Sequence, residues 1–121
     1  MASKDPLEQI EEAARDSGKY DTRGLLFVVR SLEHCRRRLN RTGHVTGQEL
    51  VESVRLLAID DFGPTAKLVL NGWGIDSTED VGNIVFLLVR HEILSKTEED
   101  TIEDFRNGFD FETEFVTNYR W

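Results

Sequence analysis

The sequence predicts a mainly α-helical protein, built as a compact single-domain bundle of five to six helices over residues 1–121. Two observations indicate this class: apolar residues recur at the 3.6-residue period of a helix, and residues that cap helices precede those segments. The length of 121 residues fits one domain. A chain of this length buries enough surface to form a core without a metal or a disulfide.

Five segments combine helical periodicity with a start signal. The clearest signal is Thr46, followed three residues later by Glu49, which is the pattern of a capping box. Asp76 followed by Glu79 repeats that pattern before the most apolar run of the chain. The predicted helices cover approximately residues 6–17, 22–39, 47–61, 64–72 and 77–91.

The helix over 77–91 is expected to be the central helix of the domain. Its apolar residues are Val81, Ile84, Val85, Leu88 and Val89 on one stripe, with Phe86 and Leu87 beside that stripe. A helix that is apolar almost all round is usually buried on several sides. The run of about a dozen apolar residues is too short to span a bilayer, which needs roughly 20. Before it, Trp73 between two glycines predicts a tight corner with a buried indole.

The residues from Glu92 to the end of the chain are strongly acidic. They contain nine Asp and Glu against three Lys and Arg, a net charge of −6 out of the −8 of the whole chain. We expect a helix after Thr97, followed by packing aromatics. The alternative is a small β-hairpin that pairs Leu94–Lys96 with Thr101–Phe105 or Phe109–Phe111, which would make the second half winged-helix-like. Helices are favoured because Glu and Asp are poor strand residues.

The end of the second helix carries the basic patch of the chain, between Arg30 and Arg41. Cations near a helix C-terminus are stabilising by themselves, by about 0.3–1 kcal/mol each. The patch therefore fits a solvated face that meets the acidic C-terminal segment. This solvated face is the favoured interpretation. The alternative is a docking surface for phosphate, nucleic acid or an acidic partner, although no aromatic residue is interleaved for stacking on single strands. The candidate partner-docking residues are Arg36, Arg37, Arg38 and Arg41.

Several short motifs make the chain resemble a known family. They are Gln48-Glu49-Leu50, Phe62-Gly63-Pro64, Trp73-Gly74-Ile75, Thr78-Glu79-Asp80, Val85-Phe86, Leu94, Lys96-Thr97 and Asp104-Phe105. In this combination the chain resembles the small uncharacterised proteins restricted to planctomycete and verrucomicrobial bacteria, from Lys19 to Phe115. The resemblance implies a bacterial protein. It implies no activity and carries over no catalytic or binding residue.

No arrangement of reactive residues predicts catalysis. His34, His44 and His91 are far apart in the sequence, and Cys35 beside His34 would point about 100° away from it on a helix. The acidic run 98–104 lacks the alternating ligand pattern of a calcium loop. We therefore expect no catalytic residue, no metal and no cofactor. An enzyme would require a deep polar pocket around a histidine or the cysteine.

Composition and charge narrow the remaining function classes. The N-terminal residues lack the apolar core of a signal peptide, and a single cysteine cannot form an internal disulfide, so we expect a cytoplasmic protein without a membrane partner. A pI near 4.8 argues against nucleic-acid binding through the net field. The leading interpretation is a small soluble protein–protein interaction module without catalysis, which binds a partner protein or a second copy. The alternative is a winged-helix-like nucleic-acid-binding protein that uses the Arg30–Arg41 patch.

Overall fold

Helices make up most of the chain. The computed structural model describes residues 5–43, 45–94 and 108–117. The α-helices in these ranges are α1 (Pro6–Ser17), α2 (Thr22–Leu39), α3 (Gly47–Phe62), α4 (Ala66–Gly72) and α5 (Thr78–Arg90). A 3₁₀ turn (Gly63–Thr65) joins α3 to α4, and a π-helical turn (Thr113–Thr117) lies near the C-terminus. The mainly α prediction is confirmed, and the helix expected after Thr97 lies outside the described residues.

Local capping explains boundaries of the first three helices that the sequence indicates. The Asp5 carboxylate accepts a hydrogen bond from the backbone N–H of Leu7 at 2.8 Å, which satisfies a free donor at the start of α1. Thr46 and Glu49 form the predicted capping box at the start of α3. Asn40, with φ of 52°, ends α2 in the left-handed conformation that asparagine tolerates well.

Helix α5 is buried on several sides, as predicted for the central helix. It packs against α1, α2 and α3. The side chains of Val81, Ile84, Val85 and Leu88 are almost completely buried. All of these helices contribute to one hydrophobic cluster, which α4 joins through Ala66 and Leu70. Within the described ranges, no helix has both the length and the apolar character needed to cross a membrane.

The predicted start of α5 is wrong by one residue. The capping pair is Ser77 with Asp80, rather than Asp76 with Glu79. The Asp80 carboxylate accepts hydrogen bonds from the backbone N–H groups of Asp76 at 2.8 Å and of Ser77 at 3.2 Å. The reason lies outside the helix, because Asp80 points inward to donors from Lys19 and Tyr20.

Trp73 forms the predicted corner before α5. Its half-buried ring packs against Phe27, with ring centroids 5.8 Å apart, and edge-on against Phe62, with centroids 5.5 Å apart. Its carbonyl accepts a hydrogen bond from the backbone N–H of Asp21 at 3.1 Å. Gly74 then turns the chain with φ of 89°, and a Cβ there would lie 2.5 Å from the carbonyl oxygen of Lys19. The corner therefore requires glycine for its conformation and for close contact with the α1–α2 connection.

The described C-terminal residues pack on the hydrophobic core through their aromatic side chains. Phe111 and Phe115 are buried, and together with Phe109 they form an aromatic cluster with centroid distances of 5.2–5.4 Å. The backbone N–H of Gly108 donates to the Thr78 hydroxyl at 3.2 Å, which anchors the segment to the start of α5.

The winged-helix alternative is not supported. The described residues contain no strand, and Phe111, proposed as a strand residue, begins a helical turn instead. This conformation is stabilised because Asp110 accepts hydrogen bonds from the N–H and hydroxyl of Thr113, both at 2.9 Å. The other proposed strand, Thr101–Phe105, lies outside the described residues.

We expect Gly74→Ala to lower the free energy of unfolding by about 2 kcal/mol or more, because it adds a Cβ at positive φ and against a backbone oxygen. The matched control is Gly72→Ala, since a Cβ at Gly72 meets nothing within 4 Å. That control should be neutral or stabilising by up to about 1 kcal/mol. Urea denaturation measures both, and equal effects would contradict the tight corner.

Phe115→Ala should destabilise the protein by about 3–5 kcal/mol, because it removes a fully buried ring from the C-terminal aromatic cluster. The neighbouring Val116 is 51% exposed. Val116→Ala should therefore change the free energy of unfolding by no more than about 0.5 kcal/mol. A small effect of both substitutions in denaturant titrations would show that the segment does not belong to the core.

Candidate docking surface

The predicted basic patch lies along the face of α2 that meets α3. The Arg30 guanidinium forms an ion pair with Asp61 at 3.0 Å. Two turns further along α2, Arg38 Nε donates to the hydroxyl of Ser53 at 3.1 Å. Arg30 thus meets the end of α3, whereas Arg38, further along α2, meets Ser53 earlier in α3. The two helices therefore run antiparallel. The arginines at both ends of this contact bind polar side chains of α3.

Arg36 and Arg38 donate to oxygens around the α2–α3 loop. Arg38 Nη2 donates to the backbone carbonyl of Glu49 at 3.0 Å, and Arg36 Nε donates to that of Gly43 at 3.1 Å. The Ser53 hydroxyl and the Glu49 carbonyl are neutral acceptors. These bonds therefore fix the Arg38 guanidinium without cancelling its positive charge.

Arg41 binds a carboxylate within the same region. Its two terminal nitrogens donate to the two carboxylate oxygens of Glu49 at 2.8 and 2.9 Å. The Glu49 carboxylate also accepts the backbone N–H of Thr46 at 2.8 Å. The hydrogen bond from Thr46, followed by that from Arg41, lowers the pKa of Glu49 below its ordinary value. The pair is partly exposed, with 46% of the Arg41 side chain and 24% of the Glu49 side chain accessible.

Arg37 is the candidate residue for which the described part of the chain provides no ion-pair or side-chain hydrogen-bond partner. Its side chain is exposed in the last turn of α2, and none of the described residues pairs with it. The solvated-face interpretation placed the acidic C-terminal segment against the patch. In the part of that segment that the structure describes, Glu112 lies 3.3 Å from Lys67 and Glu114 lies 3.9 Å from Arg55. Its described ion pairs therefore involve cations outside the Arg30–Arg41 patch.

A second polar cluster, which sequence reasoning missed, surrounds the buried carboxylate of Asp80 at the start of α5. The Asp80 carboxylate accepts hydrogen bonds from Lys19 Nζ at 2.8 Å and from the Tyr20 hydroxyl at 2.5 Å. Asn83 donates to the same hydroxyl at 3.2 Å. Only Asp80, as an acid in the first turn of an apolar helix, could have signalled it, because Lys19 and Tyr20 are about 60 residues away in the sequence.

Electrostatics gives this cluster a structural role. Burial disfavours the ionised form of Asp80, but the hydrogen bonds from Lys19, Tyr20 and the backbone of Asp76 outweigh it and hold its pKa below 3.8. Burial, followed by the hydrogen bond to Asp80, raises the pKa of Tyr20 well above 10.0. Tyr20 is therefore a donor to a carboxylate and a poor general base.

The two described histidines lie in different places: His34 is next to Cys35 in α2, and His91 ends α5. His91 Nε2 lies 3.0 Å from the Asp16 carboxylate, which joins the ends of α5 and α1. Nδ1 of His34 is buried and has no hydrogen-bond partner among the described residues, and Cys35 is buried. His44 and the acidic run 98–104 lie outside the described residues. Within the ranges that the structure covers, no group of three or more His, Cys, Asp or Glu side chains could hold a metal ion.

Comparisons with known proteins add no assignment to this geometry. No protein-family model, no curated protein and no solved structure matches the chain. The resemblance to the planctomycete and verrucomicrobial family therefore stays a prediction.

Asp80→Asn should lower the free energy of unfolding by about 1.5–3 kcal/mol at neutral pH, because it replaces a buried charged acceptor by a neutral amide. The pKa of Asp80 is lowered in the folded protein. Its stabilising contribution is therefore present above the unfolded pKa, near 3.8, and is lost as the pH falls through the lower folded pKa. The difference in free energy of unfolding between wild type and variant should accordingly shrink below about pH 4 in urea denaturation.

The control is Asp76→Asn, at an exposed side chain, with an expected change under about 0.5 kcal/mol. A difference that stays constant from pH 7 to pH 2 would contradict the charged network.

Proposed function

We propose that the chain is a small protein-binding module, and that its docking surface is the α2-end surface formed by Arg36, Arg37, Arg38 and Arg41. The observation that carries this proposal is Arg37, which is exposed and unpaired among the described residues, beside an Arg38 whose described hydrogen bonds go to neutral atoms. The chain has a net charge of −8, so a positive surface on it favours one orientation of an approaching acidic partner. Charges separated in this way steer association and select a complementary partner.

An acidic protein surface suits the α2-end surface better than nucleic acid. Binding to a duplex commonly uses several phosphate contacts, and the salt dependence of affinity grows with their number. Here Arg30 and Arg41 are paired with carboxylates of the same chain, which leaves few guanidinium groups for a phosphate backbone. The net charge of −8 would further repel nucleic acid at long range.

The partner is a different protein or a second copy of the chain, whose acidic regions complement the α2-end surface. The proposed setting is the cytoplasm. Cys35, the only cysteine, is a buried free thiol, which fits a reducing compartment. The proposal requires neither catalysis nor a bound cofactor.

Arg37→Glu should weaken partner capture by roughly two- to tenfold, because it reverses an exposed charge at the docking surface. The matched control is Arg90→Glu, since Arg90 is likewise exposed in the last turn of a helix, at the far end of α5. The tagged wild type and both variants are compared in affinity capture from lysate with and without nuclease treatment, with quantitative mass spectrometry. Sedimentation of the purified chain tests self-association with the same pair of variants.

Three results would contradict this function. Arg37→Glu could retain the wild-type set of partners, which would make the patch a solvated face. Arg90→Glu could reduce capture as strongly, which would indicate an effect of net charge alone. Nuclease treatment could abolish capture by the wild type, which would favour the nucleic-acid alternative.

A further inference from the structure

The Arg41–Glu49 pair already shows how the α2-end surface binds a carboxylate. Two parallel N–H···O contacts, at 2.8 and 2.9 Å, join the planar guanidinium to both oxygens of the acid. This bidentate geometry is the one in which arginine recognises carboxylates most specifically. The pair lies at the surface rather than in the core, since 46% of the Arg41 side chain is accessible.

Glu49 performs two tasks, and only one of them needs its charge. Its side chain caps α3 by accepting the Thr46 N–H at 2.8 Å, while its own N–H donates to the Thr46 hydroxyl at 3.1 Å. A glutamine side chain supports the same capping box. The second oxygen and the negative charge are directed to Arg41, so the ionised acid occupies a guanidinium that faces solvent.

We propose that Glu49 is an internal competitor for the partner, and that the partner of the α2-end surface is a carboxylate-bearing protein segment that displaces Glu49 from Arg41 while it engages Arg37. This inference rests on the proposed function and adds the chemistry of the partner and a restraint on its binding. The exchange replaces one carboxylate on Arg41 by another, and Glu49 has the advantage of belonging to the same chain and being held by the Thr46 N–H. Affinity is therefore held low until the partner also contacts Arg37.

The other charges around Arg41 leave room for this exchange. Arg38 contacts the backbone carbonyl of Glu49 and not its carboxylate, so it remains in place when the Glu49 side chain moves. The next acid on α3, Glu52, is paired with Arg55, one turn along the same helix. Among the described residues, Arg37, Arg38 and Arg41 are thus the exposed cations of this surface that an incoming acid meets.

The test titrates a fluorescein-labelled hexaglutamate peptide against the chain at about 50 mM salt and follows fluorescence anisotropy. Glu49→Gln should bind the peptide about two- to fivefold more tightly than the wild type, the range of one exposed ion pair. The double variant Arg41→Gln/Glu49→Gln should lose this gain. Glu112→Gln changes net charge equally at a distant surface and should bind as the wild type does. Thermal unfolding of Glu49→Gln checks that the cap of α3 is retained.

The results separate this inference from the proposed function. Equal affinity of Glu49→Gln and wild type would overturn the competitor role, and so would a gain that persists without Arg41 or appears equally in Glu112→Gln. A gain seen with a 20-base-pair duplex but absent with the peptide would overturn the carboxylate chemistry. Arg37→Glu tests the surface itself: if this variant binds the peptide as well as the wild type does, the proposed function fails and this inference fails with it, whereas a failure confined to the Glu49 variants leaves the proposed function standing.

Discussion

The Asp80 carboxylate is the constraint on which the arrangement of the loops depends. Its donors come from two separate connections: Lys19 and Tyr20 between α1 and α2, and the backbone of Asp76 and Ser77 between α4 and α5. Removing a carboxylate from water is costly unless charged and polar donors satisfy it. Because each donor offsets part of that cost, the two connections can adopt few relative positions. The start of α5, and with it the apolar stripe of that helix, is thereby fixed against α1 and α2.

Features encoded within a few residues could be predicted from the sequence. The capping box of Thr46 and Glu49 is complete within four positions, and the boundaries of α1 and α2 follow from similar local signals. The start of α5 shows where local information ends. Asp76 with Glu79 and Ser77 with Asp80 both fit the capping pattern. The choice between them is made by Tyr20, 60 residues earlier in the chain.

The same division applies to the candidate docking surface. The sequence predicted three arginines in the last turn of α2 and Arg41 just beyond it. It could not show which of them remain available, since the groups that engage Arg38 and Arg41 belong to α3. A cluster of arginines in a sequence therefore overstates the positive charge that is accessible to a partner in the folded protein. The fold directs most of these guanidinium groups to its own oxygens and leaves Arg37 exposed, whose interactions are screened over about 10 Å at 0.1 M salt.

Within the described residues, helix α3 contacts both the arginines of α2 and the acidic C-terminal segment. Ser53 and Glu49 meet the arginines of α2, whereas Arg55 approaches Glu114 of the C-terminal segment. Val51 of the same helix lies so close to Gly108 that a methyl group there would be only 2.6 Å from it. The same helix therefore holds both the part of the docking surface that carries Glu49 and the C-terminal segment that packs against Val51.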